Sequence, residues 1–215
     1  MSGFPLILSS PSGAGKTTIA HELLRRRGDL GYSVSCTTRP PRPAERDGTD
    51  YFFLTYEAFL AARERGEFAE SAEVHGHLYG TLRREVDRVL TAGKSVVMDI
   101  DVQGARQLVG VYPESVLVFV LPPDSSVLLA RLRARGTESG ESLDRRLRSA
   151  VAELQAVGMY HYVVVNEDLE RAVEAVSKIV DTEQMRTSRI SRLGERVGEL
   201  VLGLEGALIN NKGSN

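Results

Sequence analysis

A glycine-rich segment near the start of the chain combines a lysine with hydroxyl side chains at spacings that suit phosphate binding. Residues 10–18 read Ser-Pro-Ser-Gly-Ala-Gly-Lys-Thr-Thr. Gly13 and Gly15 let backbone N–H groups converge on phosphate oxygens. Lys16 can reach the β- and γ-phosphates, and Thr17 can place its hydroxyl on Mg²⁺. The first position of this pattern is usually glycine and is serine here. We predict a nucleoside triphosphate site made of Ser10, Pro11, Ser12, Gly13, Ala14, Gly15, Lys16, Thr17 and Thr18.

Two aspartates follow an apolar run in the middle of the chain. The sequence Val97-Met-Asp-Ile-Asp101 predicts a buried strand that ends in acids. Open α/β sheets bind their ligands at the carboxyl ends of parallel strands. We therefore predict that Asp99, together with Thr17, holds Mg²⁺ directly or through water. The alternative is a strand-ending aspartate that only shapes a turn.

Two arginines lie three residues apart in a proline-rich stretch with hydroxyl residues close by. Arg39 and Arg42 offer forked guanidinium donors, a geometry that suits a phosphomonoester dianion. Tyr51 and Tyr79 could add phenol donors, although partial burial in the core is the simpler interpretation for each tyrosine alone. This stretch therefore indicates a second phosphate site.

The elements that must position these residues alternate between strand and helix patterns. Residues 5–9 form a short apolar run closed by Pro, Gly and Ser, and apolar residues recur at helical spacing over residues 16–27. The same alternation returns at residues 95–100 and 103–111, 116–121 and 125–135, and 163–165 and 169–180. We predict an α/β fold with a P-loop NTPase-type parallel sheet core flanked by helices.

Two segments break this alternation. Residues 34–85 are predicted to form an inserted α/β lobe, and the Arg-dense segment at about 134–150 a mobile lid. The predicted domain covers residues 1–184, with its core at 4–33 and 86–184. A helical extension follows at residues 185–215.

The extension carries apolar residues three or four positions apart. They lie on one helical face and are Ile190, Leu193, Val197, Leu200, Val201, Leu204 and Leu208. The favoured interpretation is that this helix packs on the core of its own chain. The alternative is a subunit contact, so both a monomer and a homo-oligomer through the C-terminal helix remain open.

The bulk composition limits the classes of partner. The formal net charge is −2 over 215 residues, so no global positive field attracts nucleic acid or an anionic membrane. The single cysteine, Cys36, fits a reducing compartment, and the apolar run at residues 4–8 is too short for a signal peptide or a membrane span. We expect a cytoplasmic protein that binds neither nucleic acid nor membrane.

Taken together, the motifs resemble those of the guanylate kinase family from about residue 6 to about residue 178. They occur in the order and spacing of that family and are Pro-Ser-Gly-Ala-Gly-Lys at 11–16, Ser-x-Ser-x-Thr-Thr-Arg-x-Pro-Arg at 33–42, Gly-Thr-Asp-Tyr at 48–51, Tyr-Gly-Thr at 79–81, Asp-Ile-Asp-x-Gln-Gly at 99–104 and Arg-Gly-Thr-Glu at 135–138. The resemblance implies transfer of the γ-phosphate of ATP to GMP, giving ADP and GDP in purine nucleotide metabolism. It also implies Mg²⁺ as cofactor and identifies the inserted lobe as GMP-binding.

The resemblance also implies individual roles. The GMP phosphate would be held by Ser35, Arg39, Arg42, Tyr51 and Tyr79, and guanine by Glu70, Thr81 and Asp101. Arg131 and Arg135 match arginines that close over the ATP phosphates, and Arg146 matches one that bridges both substrates. The implied catalytic set is Lys16, Arg39, Arg131, Arg135 and Arg146.

Three other functions compete with this interpretation. A kinase for another nucleoside monophosphate or a sugar phosphate would lack the acidic guanine contacts, so Glu70 and Asp101 argue against it. A scaffold module of the same fold that binds phosphopeptides usually lacks the lysine found here as Lys16. A P-loop ATPase that handles DNA or RNA would need a basic track, which the net charge does not support.

Overall fold

The computed structural model describes residues 2–74, 76–134 and 140–212. Its core is built from alternating strands and helices, as the apolar pattern predicts. The elements along the chain are β1 (Pro5–Ser9), α1 (Lys16–Arg26), β2 (Leu30–Tyr32), β3 (Ser35–Thr37), β4 (Phe52–Phe53), α2 (Tyr56–Glu64), β5 (Phe68–Val74), β6 (His77–Leu82), α3 (Arg83–Thr91), β7 (Ser95–Asp99), α4 (Val102–Val111), β8 (Val116–Leu121), α5 (Ser125–Ala134), α6 (Gly140–Gln155), β9 (Tyr162–Val165), α7 (Leu169–Gln184) and α8 (Leu193–Lys212).

The main sheet has five parallel strands in the order β2-β7-β1-β8-β9. All five residues of β1 are buried, because this strand is central and both faces of the sheet are covered by helices. Leu8 of β1 lies opposite Asp99, the last residue of β7. The loop after β1 and the acidic end of β7 therefore share one edge of the sheet.

Helices cover the two faces of this sheet. Ile19 and Leu23 of α1 pack with Val176 of α7 on one face. Val86 of α3 and Leu108 of α4 pack on the other face. The predicted α/β fold with a parallel sheet core flanked by helices is confirmed.

A second sheet is formed within residues 35–82, in the order β4-β3-β6-β5. Its own small core includes Phe59 and Phe68, whose rings stack with their centroids 4.4 Å apart. This sheet is tied to α4 by Gln107, whose side-chain amide donates to the Ser71 carbonyl at 2.9 Å and accepts from the Ser71 N–H at 3.1 Å. The connection fixes β5 beside the middle of α4.

The segment predicted as a lid contains more regular structure than the sequence suggested. Helix α6 begins at Gly140 and packs on α5 through Leu128, Leu132 and Ala150. The predicted motion of this segment stays a prediction, and residues 135–139 lie outside the described part of the chain.

The prediction that the C-terminal helix packs on its own core is wrong for the described residues. Leu200, Leu204 and Leu208 of α8 are 62%, 68% and 63% exposed. Buried Arg189, before this helix, does contact the core, and its guanidinium lies 4.1 Å from the centre of the Phe4 ring. Arg192 then adopts a left-handed backbone conformation with φ of 58°, and α8 begins at the next residue. Among the described helices, none has the length and apolar character needed to span a membrane.

Candidate active site

The glycine-rich loop after β1 has the backbone that phosphate binding requires. Gly13 and Gly15 have backbone φ angles of 89° and 96°, which residues other than glycine rarely adopt. Asn166, directly after β9, donates its side-chain amide to the Ala14 carbonyl at 2.8 Å. A Cβ atom on Gly15 would lie 2.5 Å from that amide nitrogen. The close approach of Asn166 therefore supports the loop and requires glycine there.

The N-terminus of α1 is available to an anion. The first turn of α1 contains no acidic residue, and its N-cap is Gly15. Ser10, which replaces the usual first glycine, is 3% exposed and donates its hydroxyl to the Pro11 carbonyl at 3.0 Å. The serine side chain is thus satisfied within the loop itself.

Asp99 lies beside this loop and is held by two hydroxyl groups. Thr17 donates its hydroxyl to Asp99 Oδ2 at 2.6 Å, and Tyr32 donates its phenol to Asp99 Oδ1 at 2.9 Å. Burial and the neighbouring carboxylate raise the pKa of the Tyr32 phenol above its usual value, so Tyr32 stays a donor. Hydroxyl and carboxylate oxygens are ligands that Mg²⁺ accepts, and the pair fits the predicted metal site.

Most of the side chains predicted to bind GMP line a single cavity. Lys16 and Asp99 also line it. The predicted GMP-binding residues in its wall are Ser35, Tyr51, Glu70, Tyr79 and Asp101. Thr81 lies directly behind the wall, because it is opposite Glu70 in the β5–β6 pairing and donates its hydroxyl to Glu70 Oε1 at 2.7 Å.

Glu70 is a carboxylate in an enclosed position. It is 5% exposed, and burial raises its pKa to about 7, with the nearby Asp101 charge adding to the rise and the Thr81 hydrogen bond opposing it. A Cβ atom on Gly104 would lie 2.7 Å from Glu70 Oε2, so helix α4 closes off one side of the carboxylate. Asp101 caps the same helix by accepting the Gly104 N–H at 2.7 Å. The two acids form an acceptor wall.

The two arginines predicted to bind a phosphate monoester differ in their surroundings. Arg39 donates to Glu45 at 2.8 Å and lies 5.5 Å from the centre of the Tyr51 ring. Arg42 has a side chain that is 75% exposed and approaches Glu45 only to 4.0 Å. Glu45 was not predicted, and it also accepts the Arg42 N–H at 2.8 Å. Its hydrogen bond from Arg39 lowers the pKa of the Glu45 carboxyl.

Two of the three arginines predicted to contact ATP phosphates lie near the phosphate loop. Arg131 donates to the Gly13 carbonyl at 3.3 Å. Arg146 lines a cavity together with Ser12 and Lys16. Arg135 lies outside the described residues, so its predicted role is not placed by the structure.

Comparison with known proteins agrees with this geometry. The family model described as Guanylate kinase matches residues 2–183. The chain belongs to the guanylate kinase family. It is 50% identical to a guanylate kinase of Thermotoga maritima over 88% of this chain and 91% of the relative. It is 51% identical to one of Anaeromyxobacter dehalogenans over 86% of this chain and 82% of the relative.

A solved structure extends the comparison to the fold. The crystal structure of guanylate kinase from Anaplasma phagocytophilum superposes with a TM-score of 0.75 at 36% identity, covering 90% of this chain and 93% of that one. Membership in the guanylate kinase family confirms the resemblance drawn from the motifs.

In a guanylate kinase family member, the phosphates of both nucleotides must meet near the phosphate loop, and a cavity lies there, next to the second sheet. Its lining includes the cationic side chains of Lys16, Arg42 and Arg146, together with Thr17 and Asp99. The carboxylates of Glu45 and Asp50 line the same space, so these cations can neutralise bound phosphates and the neighbouring acids together. Tyr32 also lines this cavity, and only the strand order reveals it, because β2 lies next to β7.

Proposed function

We propose that this chain transfers the γ-phosphate of ATP to GMP, giving ADP and GDP, and so serves purine nucleotide metabolism and GMP recycling. The observation that carries the proposal is the pair of acids, Glu70 and Asp101, in a cavity that also contains Lys16 of the phosphate loop. A guanine-binding wall and a triphosphate loop thus share one space. That arrangement suits transfer between two bound nucleotides.

Glu70 supplies the base selectivity in this proposal. Guanine presents its N1–H and exocyclic amine as adjacent donors, and one carboxylate can accept both. Thr81 holds the Glu70 carboxylate in place, and Asp101 lies at the same wall. Adenine offers an acceptor at N1, which would leave the buried carboxylate unpaired at a cost of about 1–3 kcal/mol or more.

The phosphate of GMP would be bound in the same cavity by hydroxyl and guanidinium donors. Ser35, Tyr51 and Tyr79 line that cavity as hydroxyl donors. Arg39 lies against Tyr51, and Arg42 lines the larger neighbouring space. Neutral hydroxyls and guanidinium groups together match the donor needs of a phosphate dianion.

The transfer itself needs no general base, because the acceptor oxygen of GMP already carries negative charge. The chain's task is to hold two charged phosphates in line and to offset the charge on the transferring group. Lys16 and the phosphate-loop N–H groups hold the ATP phosphates. Positive charge around the transferring group comes also from Arg39, Arg131, Arg135 and Arg146. Mg²⁺ bound with ATP, at Thr17 and Asp99, would neutralise part of the same charge.

Closure of the two lobes would complete the site and exclude water. Residues 35–85 and 134–150 carry Arg39, Arg42 and Arg146 and most of the GMP wall, so their movement toward the phosphate loop would limit ATP hydrolysis. Crystal structures of the empty and doubly liganded protein test this motion. Superimposable lobes in the two structures would contradict it.

A coupled assay of ADP release tests the reaction. ATP and Mg²⁺ are combined with GMP, AMP, CMP, UMP or dTMP, and we expect turnover with GMP alone. Lys16→Ala should abolish turnover, whereas Lys94→Ala, at an exposed lysine, should not. Turnover selective for another acceptor would contradict the assignment of a guanine pocket. Absence of turnover with every acceptor would favour a binding module.

We further infer that the protein acts on free nucleotides in the cytoplasm, without nucleic acid or a membrane. The net charge of −2 supports this view. The choice between a monomer and a homo-oligomer through α8 is decided by light scattering, where a monomer has a mass of 23.6 kDa.

A further inference from the structure

Asp99 is held by donors from two different elements. Thr17 belongs to α1, and Tyr32 is the last residue of the edge strand β2. Tyr32 lies opposite Val97 in the parallel pairing with β7. Because side chains alternate along a strand, Asp99 is two residues further along and on the same face as Val97. The phenol therefore reaches the carboxylate diagonally, with 2.9 Å between Tyr32 Oη and Asp99 Oδ1.

Tyr32 is itself fixed by its neighbours. The ring of His21 packs edge-on against the Tyr32 ring, with 5.9 Å between centroids. Arg88 donates to the Tyr32 carbonyl at 3.3 Å. The side chain also lines two cavities, the one that contains Glu70 and the larger one that contains Arg146. The phenol is thus held at the boundary between the two cavities, next to Lys16.

The two hydrogen bonds constrain the orientation of the carboxylate. A carboxylate with one donor can rotate about its terminal bond, whereas donors on both oxygens fix its plane. Each Asp99 oxygen has one such donor, with Thr17 Oγ1 at 2.6 Å from Oδ2. Groups that orient metal-binding carboxylates affect metal affinity without touching the metal.

We propose that Tyr32 is a positioning residue for the divalent cation that accompanies ATP, and that it acts by fixing the Asp99 carboxylate. The inference rests on the proposed function for the identity of the nucleotide, but its test does not need GMP. Loss of an orienting hydrogen bond of this kind weakens metal affinity by about 10- to 100-fold. We expect Tyr32→Phe, which removes only the hydroxyl, to do so.

A matched control exists elsewhere in the chain. Tyr112 donates its phenol to Asp87 Oδ1 at the same distance, 2.9 Å, and joins the end of α4 to α3. Tyr112→Phe therefore removes an equal phenol–carboxylate hydrogen bond away from the residues of the metal site. Any effect of Tyr32→Phe that comes only from losing such a bond would appear in both variants.

The experiment measures Mn²⁺ binding in the presence of ADP, by the electron paramagnetic resonance signal of free Mn²⁺. We expect Tyr32→Phe to weaken Mn²⁺ binding by about tenfold or more, with Tyr112→Phe equal to wild type. ADP affinity without metal should be unchanged in both. Equal Mn²⁺ affinity in Tyr32→Phe and wild type would overturn the proposal.

Two further measurements separate positioning from folding. In an Asp99→Asn background, Tyr32→Phe should cause no additional loss of Mn²⁺ affinity, whereas an additive loss would contradict action through Asp99. Tyr32→Leu, which loses the hydroxyl and also the ring that packs on His21, must show a loss of Mn²⁺ affinity at least as large. Wild-type protein that binds Mn²⁺ and ADP but does not turn over GMP would refute the proposed function, while the comparison of variants still decides this inference.

Discussion

Glu70 is a carboxylate whose surroundings oppose its charge. Burial and the Asp101 carboxylate raise its pKa to about 7, and the Thr81 hydroxyl is the donor that supports the charged form. A ligand that brings two N–H donors to Glu70 would stabilise that charged form. The position therefore favours guanine over bases that cannot donate there.

This raised pKa predicts a pH dependence for GMP use. Below a pH of about 7 the Glu70 carboxyl of the free protein takes up a proton and can no longer accept both guanine donors. We expect kcat/KM for GMP to fall in that range more steeply than titration of the GMP phosphate alone explains. Glu70→Gln should lower kcat/KM by about 10- to 100-fold and remove the additional slope. Parallel pH profiles in the two proteins would contradict this assignment.

The same shift predicts an effect on folding. The pKa of Glu70 is higher in the folded protein, about 7, than its ordinary value of 4.5. Its protonated form therefore stabilises the fold fully below a pH of 4.5, and this contribution is lost as the pH rises through about 7. We expect Glu70→Gln to gain stability relative to wild type as the pH rises across this window. Thermal unfolding of both proteins over the window measures the difference, and a constant difference would contradict the prediction.

At the scale of single residues, sequence spacing revealed the groups that act through local backbone geometry. Lys16 and Thr17 follow directly from the glycine-rich pattern, and Asp99 from the end of an apolar run. Tyr32 and Glu45 were missed for a physical reason. The Tyr32 contact depends on which strands are neighbours, and the Glu45 contact on how a turn folds back on itself, as its bond to Arg39 shows.

At the scale of elements, the contact between α4 and β5 sets the space around Glu70. A methyl group on Gly104 would lie 2.7 Å from Glu70 Oε2. The carboxylate is the mobile end of a side chain, so we expect Gly104→Ala to displace it at little cost in stability. KM for GMP should then rise about tenfold or more, with KM for ATP unchanged. Steady-state kinetics with each substrate varied measures both values.

Gly110 of the same helix provides the control. A Cβ atom there meets nothing within 4 Å. Gly110→Ala should leave both KM values unchanged and stabilise the helix by about 0.5–1 kcal/mol. A similar rise in KM for GMP in both variants would show that Gly104 acts through the helix as a whole.

The strands and helices of the core were predictable because their apolar runs differ clearly in length and period. The bounds and packing of helix α6 were not predicted, although Leu143, Leu147 and Leu154 recur at helical spacing and pack in its small core. The arginines between them dominated the composition of the segment and suggested a mobile flap, with Arg145 and Arg148 on a solvated helix face. Periodicity was the better guide there, because charged residues on the outer face of a helix do not oppose its formation.

At the scale of the whole molecule, Arg189 joins segments that are far apart in the chain. It pairs with buried Glu183, donates to the Glu114 carbonyl at 2.8 Å and lies over the Phe4 ring. Arg189→Ala leaves Glu183 with Tyr162 and Arg186 as remaining partners. We expect a loss of about 3 kcal/mol in the free energy of unfolding, near the low end for a broken buried pair.

Urea unfolding measures this loss, with Lys178→Ala as the control. Lys178 pairs with Glu174 at 2.8 Å on the same helix as Glu183, but both side chains are more than half exposed. Its removal should cost less than about 1 kcal/mol. Equal losses in the two variants would mean that burial adds nothing to the Arg189 pair.

Deletion of helix α8 should have little effect on stability, although it removes far more of the chain than Arg189→Ala does. Its side chains from Val197 to Leu208 are exposed or nearly so. Deleting residues 193–215 from a monomeric protein should therefore leave the unfolding midpoint and GMP turnover close to wild type. A large fall in the midpoint at a protein concentration where light scattering shows only monomers would contradict the exposed position of α8. The periodicity of the tail identified an apolar face, but periodicity does not say what covers such a face.

The strand order also has a consequence for how the protein is made. The two strands that pair with β1 are β7 and β8, and both follow residue 94 in the sequence. A ribosome that adds roughly 5–20 residues per second would leave β1 without a partner for roughly 4–20 seconds. Asn166, which supports the loop after β1, emerges later still. This fully buried strand is thus made well before the strands that pair with it, and its phosphate loop gains full support only after Asn166 has been added.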